Sequence, residues 1–222
     1  VTLRRALILA AGRGERMRPL TESVPKPLLC VGGKPLIVWH LERLAAAGVR
    51  EIAINTSWLA GALHDSLGDG RRYGVAIRWF DEGPVPLETA GGIVNALKAF
   101  GDEPFAVVNG DVWSDLPLPP PAPAPGRLAH LVLVPNPSHH ARGDFGLECG
   151  ELRTEGAVRH TFAGIATYDP ALFAGLAPGR RALKPVLDRA AAAGRVTASV
   201  YTGRWTDVGT PARLAELDAA LA

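Results

Sequence analysis

The chain has 222 residues, 47% of them apolar, enough to bury one sizeable core, and a single domain over 1–222 is expected. Its 24 Lys and Arg stand against 22 Asp and Glu, a net charge of +2 that excludes a nucleic-acid binder held by a broad basic face. Two cysteines make no disulfide framework, and no apolar run approaches the ~18 residues of a membrane helix, so a soluble cytoplasmic protein is expected.

The apolar run Ala6 to Ala10 reads as a short buried strand that empties into a loop of small residues. Gly12 and Gly14 can take positive φ there, and successive backbone N–H groups around them would form an anion nest. Arg13, Arg16, Arg18 and Lys26 crowd the loop, opposed only by Glu15 and Glu22, which suggests a polyphosphate site. Two stricter phosphate motifs are excluded. Met17 occupies the sixth position of a dinucleotide fingerprint, and Pro35 follows Gly33-Lys34 where a Walker A loop needs Ser or Thr. Cys30, between Leu29 and Val31, reads as a buried thiol.

Pro35 opens an amphipathic helix, Leu36 to Ala47, with Leu36, Trp39, His40 and Leu44 on its apolar stripe; His40 is expected to be packed, not catalytic. A strand from Val49 to Asn55 with Ile52 and Ile54 inward, a helix from Trp58 to Leu67 and a strand from Val75 to Phe80 follow. This alternation predicts a parallel sheet covered on both faces. The segment Glu82 to Gly92 leads into a helix expected from Ile93 to Phe100, with Thr89 able to cap it; on its residues alone it is a plain loop-to-helix junction. Pro104 to Asn109 reads as a strand, with Asp111 just past its carboxyl end, where open parallel sheets bind ligands; alone, Asp111 is either a ligand or a turn residue.

The proline-rich stretch Asp115 to Pro125 is expected to be a stiff surface excursion, because a buried strand resumes at Arg127 to Val134. His139 and His140 should point away from one another and not share a metal. In Arg142 to Leu147 the glycines leave room for Asp144 to accept hydrogen bonds from sugar hydroxyls. Helices from Pro170 and over Leu183 to Ala193, a strand from Arg195 to Tyr201, and a last helix from Pro211 with Leu214, Leu217 and Leu221 inward complete the pattern. Asp207, next to Gly209, reads most simply as a cap for that last helix, and Lys184 either reaches a ligand or solvates its helix.

Five blocks carry a resemblance. Leu9-Ala10-Ala11-Gly12-x-Gly14-x-Arg16-Met17 with Pro25-Lys26-Pro27, then Leu87 to Gly92, Val108 to Asp111, Thr161 to Ile165 and Trp205 to Thr210 are together similar to sugar-1-phosphate nucleotidyltransferases. The resemblance covers essentially the whole chain. It implies an α/β fold, a Rossmann-like three-layer sandwich with a mainly parallel central sheet of the nucleotide-diphospho-sugar transferase type. It implies Arg16, Lys26 and Asp111 as catalytic groups, and Ala11, Gly12, Gly14, Glu15, Glu88 and Gly91, with Arg16 and Lys26, around the nucleotide. It implies Asn109, Asp144, Gly164 and Asp207 around the sugar, and Mg²⁺ on Asp111 and Asp207. Asn109 to Trp113, Gly143 to Phe145 and the small size resemble the uridylyltransferase branch that serves cell-wall recycling. UTP and a sugar 1-phosphate are therefore the expected reactants, and a monomer or small homo-oligomer the expected state. A guanylyl- or thymidylyltransferase is the alternative, while a non-catalytic module would be expected to have lost one of Arg16, Lys26, Asp111 or Asp207.

Overall fold

The computed structural model describes residues 3–156 and 158–222. Its first half alternates strand and helix: β1 (Arg5–Leu9), the two-residue ribbon β2 (Cys30–Val31) and β3 (Lys34–Pro35), α1 (Leu36–Ala46), β4 (Glu51–Thr56), α2 (Ala60–Leu67), β5 (Ala76–Asp81), α3 (Glu88–Ala96) and β6 (Phe105–Asn109). The second half is richer in strands: β7 (Val112–Ser114), β8 (Ala129–Val134), β9 (Phe145–Glu148), β10 (Glu151–Arg153), β11 (Arg159–Tyr168), α4 (Lys184–Ala192), β12 (Val196–Val200), β13 (Trp205–Asp207) and α5 (Pro211–Leu221).

Nine strands form one sheet in the order β5-β4-β1-β6-β11-β8-β12-β10-β9. The expected parallel arrangement holds from β5 to β6, and β12 also runs parallel to β8. Beyond β6 the sheet is mixed, because β11 is antiparallel to both β6 and β8. Alternate residues of each strand face opposite layers. Leu7, Phe80, Val107 and Leu131 pack with α3 and α4, while Ile8, Ile52, Ile54 and Val108 pack with Ile37, Leu41 and Leu44 of α1 and Leu63 of α2. Burying each such side chain contributes about 1.5–3 kcal/mol, so both faces of the sheet anchor it. A satellite cluster joins α5, through Leu217, to Trp113, Met17 and Leu36. No helix among the described residues is long and apolar enough to cross a membrane.

The register sets the position of the site. Leu9 lies opposite both Asn55 and Asn109, so β1, β4 and β6 end flush at one edge of the sheet. Several boundaries differ from expectation. The helix placed at Ile93 begins at Glu88, and Thr89 does not cap it. The helix expected from Pro170 is a single 3-10 turn, Pro170–Phe173, which ends as the chain turns away at Ala174. Cys30 is exposed, because in the ribbon Val31 takes the inward position. The proline-rich stretch is an excursion that packs back: Leu118 is buried and Thr167 Oγ1 donates to Pro121 O at 2.6 Å.

His40 is packed as expected, and its ring donates through Nε2 to Val112 O at 2.9 Å. From the same helix Arg43 donates to Ser114 O and Leu116 O, so α1 holds β7 and the residues beside it. Burial pushes the His40 imidazole down to about 4, against a weaker upward pull from the Val112 bond. Below pH ~6.5 the unfolded chain takes up a proton here that the folded chain refuses until pH falls to about 4. Stability supplied by this group is therefore present above pH ~6.5 and is lost as pH falls through that window, by about 1.4 kcal/mol per pH unit. His40→Gln, which keeps a donor for Val112 O, should show a shallower acid slope by that amount in urea midpoints measured from pH 7.5 to 4.5.

Candidate active site

A partly buried polar chain ties two of the flush strand ends to the end of β5. Asn55, 3% exposed, accepts from Ala10 N at 2.7 Å and donates to Glu82 Oε1 at 2.7 Å, and Glu82 Oε2 accepts from Leu87 N at 2.7 Å. These bonds tie β1, β4 and β5 to the segment leading into α3. Asn55 and Glu82 did not figure among the expected site residues. The available signal was a polar side chain closing each of two apolar strands.

Past Ala10 the chain stays open. Among the described residues, the amides of Ala11, Gly12, Arg13 and Gly14 donate to no protein acceptor, which leaves a row of N–H groups for an anion. Of the two loop glycines only Gly14 enters the left-handed region, at φ 64°. A Cβ there would lie 2.9 Å from Thr21 Cγ2, and Thr21 Oγ1 donates to Gly14 O at 2.8 Å, so the turn is locked from behind. Arg13 donates to Pro84 O at 2.7 Å, closing the loop against the segment across the cleft. Glu15 and Arg16 are exposed on the near rim, where Arg16 lines the mouth with Gly12, Gly14 and Lys26.

Lys26 forms the floor. Its side chain is only 9% exposed, and Nζ lies 2.6 Å from Asp111 Oδ2. Asp111, just past β6, accepts on its carbonyl from Val208 N at 2.8 Å, and the β7–β13 pairing sets Asp207 opposite Val112. The two aspartates, distant in sequence, thereby line one cleft with Arg16 and Asn109. Asp207 is not the helix cap; Thr210 caps α5. The Asp207 carboxylate instead accepts from Arg213 Nη1 at 2.8 Å and lies 2.9 Å from His139 Nε2. His140 turns the other way, to Asp144 Oδ1 at 3.0 Å, so the adjacent histidines do not converge.

On the far side, Asn109 lies against Gly164, which sits at φ 72° in an irregularity of β11 between Phe162 and Ala166. A Cβ on Gly164 would come within 2.6 Å of Asn109 Nδ2. Asp144 accepts from Phe162 N at 2.8 Å through Oδ2, so its carboxylate serves the strands as well as the cavity of about 430 Å³ that it lines with Glu88, Asn109, Phe145 and Lys184. Lys184 Nζ is held by Asp188 Oδ1 at 2.7 Å and lies over the Phe145 ring at 4.6 Å.

Gly91 is placed differently from expectation. It is buried behind the cleft, its amide donates to Arg181 O at 3.1 Å, and a Cβ would strike Gly179 O, so it seats the 179–181 segment and offers no surface to a ligand. Gly92 likewise has no room for a side chain beside Asn55 and Glu82. Glu88 is held at φ 61°, a conformation that costs a non-glycine residue about 1–3 kcal/mol. Its carboxylate lies 2.7 Å from Arg180 Nε, with side chains 38% and 69% exposed. Such a surface pair contributes about 0–1 kcal/mol and does not offset the strain.

The family model for nucleotidyl transferase matches residues 5–122, which span the loop, Lys26, Glu88 and Asp111. The chain belongs to the nucleotidyl transferase family. It is 49% identical to the N-acetylmuramate alpha-1-phosphate uridylyltransferase of Neisseria meningitidis serogroup B, with 97% of each chain aligned. To the enzyme of the same name from Caulobacter vibrioides it is 34% identical, over 95% of this chain and 97% of that one. A Bacillus anthracis structure solved with a sucrose, provisionally described as a glucose-1-phosphate thymidylyltransferase, matches with a TM-score of 0.85 over 98% of this chain and 94% of that one; at 22% identity it shows the fold. The chain is thus a sugar-1-phosphate nucleotidyltransferase, of a family that acts on a nucleoside triphosphate and a sugar 1-phosphate and is generally dependent on a divalent metal.

Gly164→Ala tests the close packing of β11 against Asn109 in this family member. Forcing a Cβ onto Asn109 at positive φ should destabilise the fold by about 1–3 kcal/mol, read as a fall in melting temperature, and should displace the Asn109 side chain in a crystal structure.

Proposed function

We infer that the chain transfers a uridylyl group from UTP to N-acetylmuramate 1-phosphate, giving UDP-N-acetylmuramate and pyrophosphate. The observation that carries the chemistry is the Lys26–Asp111 ion pair, which lines the cavity against the glycine loop together with Asn109, while Asn109 also lines the neighbouring cavity with Asp144 and Phe162. The choice of acceptor and of uracil is supported by the 49% identical relative.

Charge is the obstacle to this reaction. Two unit negatives ~4 Å apart repel by roughly 4 kcal/mol at an effective dielectric of ~20, and each reactant carries several. In this reading the amides of Ala11, Gly12 and Gly14, with Arg16 at the rim and Glu15 beside it, hold the triphosphate tail and the departing pyrophosphate. Lys26 stands between the α-phosphate and the sugar phosphate. An oxygen of the sugar phosphate forms a bond to the α-phosphorus, and the bond from that phosphorus to the bridging oxygen breaks with its electron pair leaving on pyrophosphate. No base is needed, because a phosphate monoester whose second pKa is about 6 is already a dianion at neutral pH. Glu88 and the start of α3 wall the nucleotide, while Asn109, Asp144, Gly164 and Asp207 flank the sugar.

The residues present fit a hard divalent ion. Asp111 and Asp207 supply carboxylate oxygens to one cleft from two bonded elements, and no group of three metal-ligating side chains exists among the described residues. That donor set suits Mg²⁺, which completes its shell with phosphate oxygens and water. When bound, Mg²⁺ would neutralise phosphate charge. A soluble monomer or small homo-oligomer in the cytoplasm is consistent with this assignment.

Incubation with UTP, GTP or dTTP, Mg²⁺ and separate sugar 1-phosphates, followed by identification of the nucleotide sugar, tests the reading. UDP-N-acetylmuramate should be the dominant product; dominance of a guanosine or thymidine sugar would overturn it. Asp111→Asn should lower kcat by on the order of 10²–10³ in assays at a temperature where the variant is folded, and should also lower the melting temperature, because Lys26 keeps a hydrogen-bond acceptor but loses its counter-ion. Pyrophosphate release at the wild-type rate would remove Asp111 from the chemistry.

A further inference from the structure

Among the described residues three non-glycine residues take positive φ, Leu59, Glu88 and Cys149, and of these Glu88 lines the two cavities of the site. Glu88 holds a left-handed backbone conformation that glycine would adopt without strain, and its exposed ion pair does not offset that strain. Its carboxylate lies at the junction of the two cavities, since Glu88 lines both. The main chain next to the partner is placed as well. Arg181 N donates to Leu87 O at 2.8 Å, and Ala90 N and Gly91 N donate to Arg181 O at 3.0 and 3.1 Å, so the main chain beside Arg180 is clamped to the start of α3. From Arg180 the chain runs directly into Ala182, Leu183 and Lys184, which line the sugar-side cavity.

Arg180 Nε lies 2.7 Å from Glu88 Oε1. Among the described residues its two terminal nitrogens have no hydrogen-bond partner, and that forked edge suits a planar carboxylate. Lys184, the one Lys or Arg among the residues lining this cavity, is already held by Asp188.

We propose that Arg180, aimed by the carboxylate of Glu88, selects acceptor sugars that themselves carry a carboxylate. Arg180 is the specificity determinant and Glu88 its positioning residue. The inference rests on the acidic acceptor of the preceding section, whose lactyl group supplies that carboxylate; a sugar 1-phosphate lacking it would meet the same cavity without the ionic contact.

The experiment compares kcat/KM for N-acetylmuramate 1-phosphate with that for N-acetylglucosamine 1-phosphate at saturating UTP and Mg²⁺. In the wild type the acidic sugar should be preferred. Arg180→Gln should lower the acidic-to-neutral ratio about tenfold, chiefly through KM for the acidic sugar, as expected for loss of one charge-assisted contact. Arg180→Lys should restore part of that ratio, and Glu88→Gln, which keeps the backbone and removes the charge, should lower it less. The KM for UTP should stay within about twofold in Arg180→Gln. An unchanged ratio in that variant, or a change falling on UTP instead, would overturn the proposal while leaving the acidic acceptor intact. A wild type with no preference for the acidic sugar would overturn the acceptor assignment and this inference with it.

Discussion

An ammonium group removed from water must be paired, and Lys26 has Asp111 as its counter-ion. That requirement ties the amino-terminal loop to the end of β6. The same aspartate accepts from Val208 through its carbonyl, which brings β13 and Asp207 to the spot. One buried cation thus gathers residues from both ends of the chain. The flush ends of β1, β4 and β6 give it a wall, and the Asn55–Glu82 chain of hydrogen bonds keeps that wall from fraying.

The distribution of charge around this point follows a consistent logic. Three carboxylates at the cleft already meet a cation from the protein: Asp111 meets Lys26, Asp207 meets Arg213, and Glu88 meets Arg180. The chain therefore presents paired charges where polyphosphates are to be handled, and its open loop amides and Arg16 add positive potential without needing a partner. Fixed amide dipoles suit this task because they cost no reorganisation when charge shifts along the phosphates.

Much of this was readable from sequence where local rules decide. The apolar run before Gly12, the amphipathic pattern of α1 and the alternation through β5 depend on neighbours in the chain, and they appear within a few residues of where they were expected. The loop cations and the two aspartates were legible because a long motif surrounds each. What was not legible depends on distant contacts. The reversal of β11 against β6 carries no local signature, since a strand buried on both faces reads alike in either direction. Asn55 and Glu82 act through each other, and neither belongs to a motif. Gly91 was expected around the nucleotide, yet it and Gly92 are small because other chain segments lie against them. Cys30 followed an apolar run outward because a two-residue ribbon, not a buried strand, contains it.

The placement of strain separates two uses of unusual backbone in this fold. Gly14 and Gly164 take positive φ where a side chain would collide with Thr21 or Asn109, so there the conformation and the missing Cβ serve one end, close approach. Glu88 takes the same conformation with a full side chain, and starts α3 five residues ahead of the helix that the local pattern suggests. A helix nucleated earlier would gain nothing from a strained first residue if a neutral glycine served as well. What glycine cannot supply is a carboxylate at the meeting point of the nucleotide and sugar cavities. The early helix start, the clamped segment at Arg181 and the buried faces of Gly91 and Gly92 then become one device: they hold a charged group steady at a place where the phosphate-binding scaffold itself does not require one.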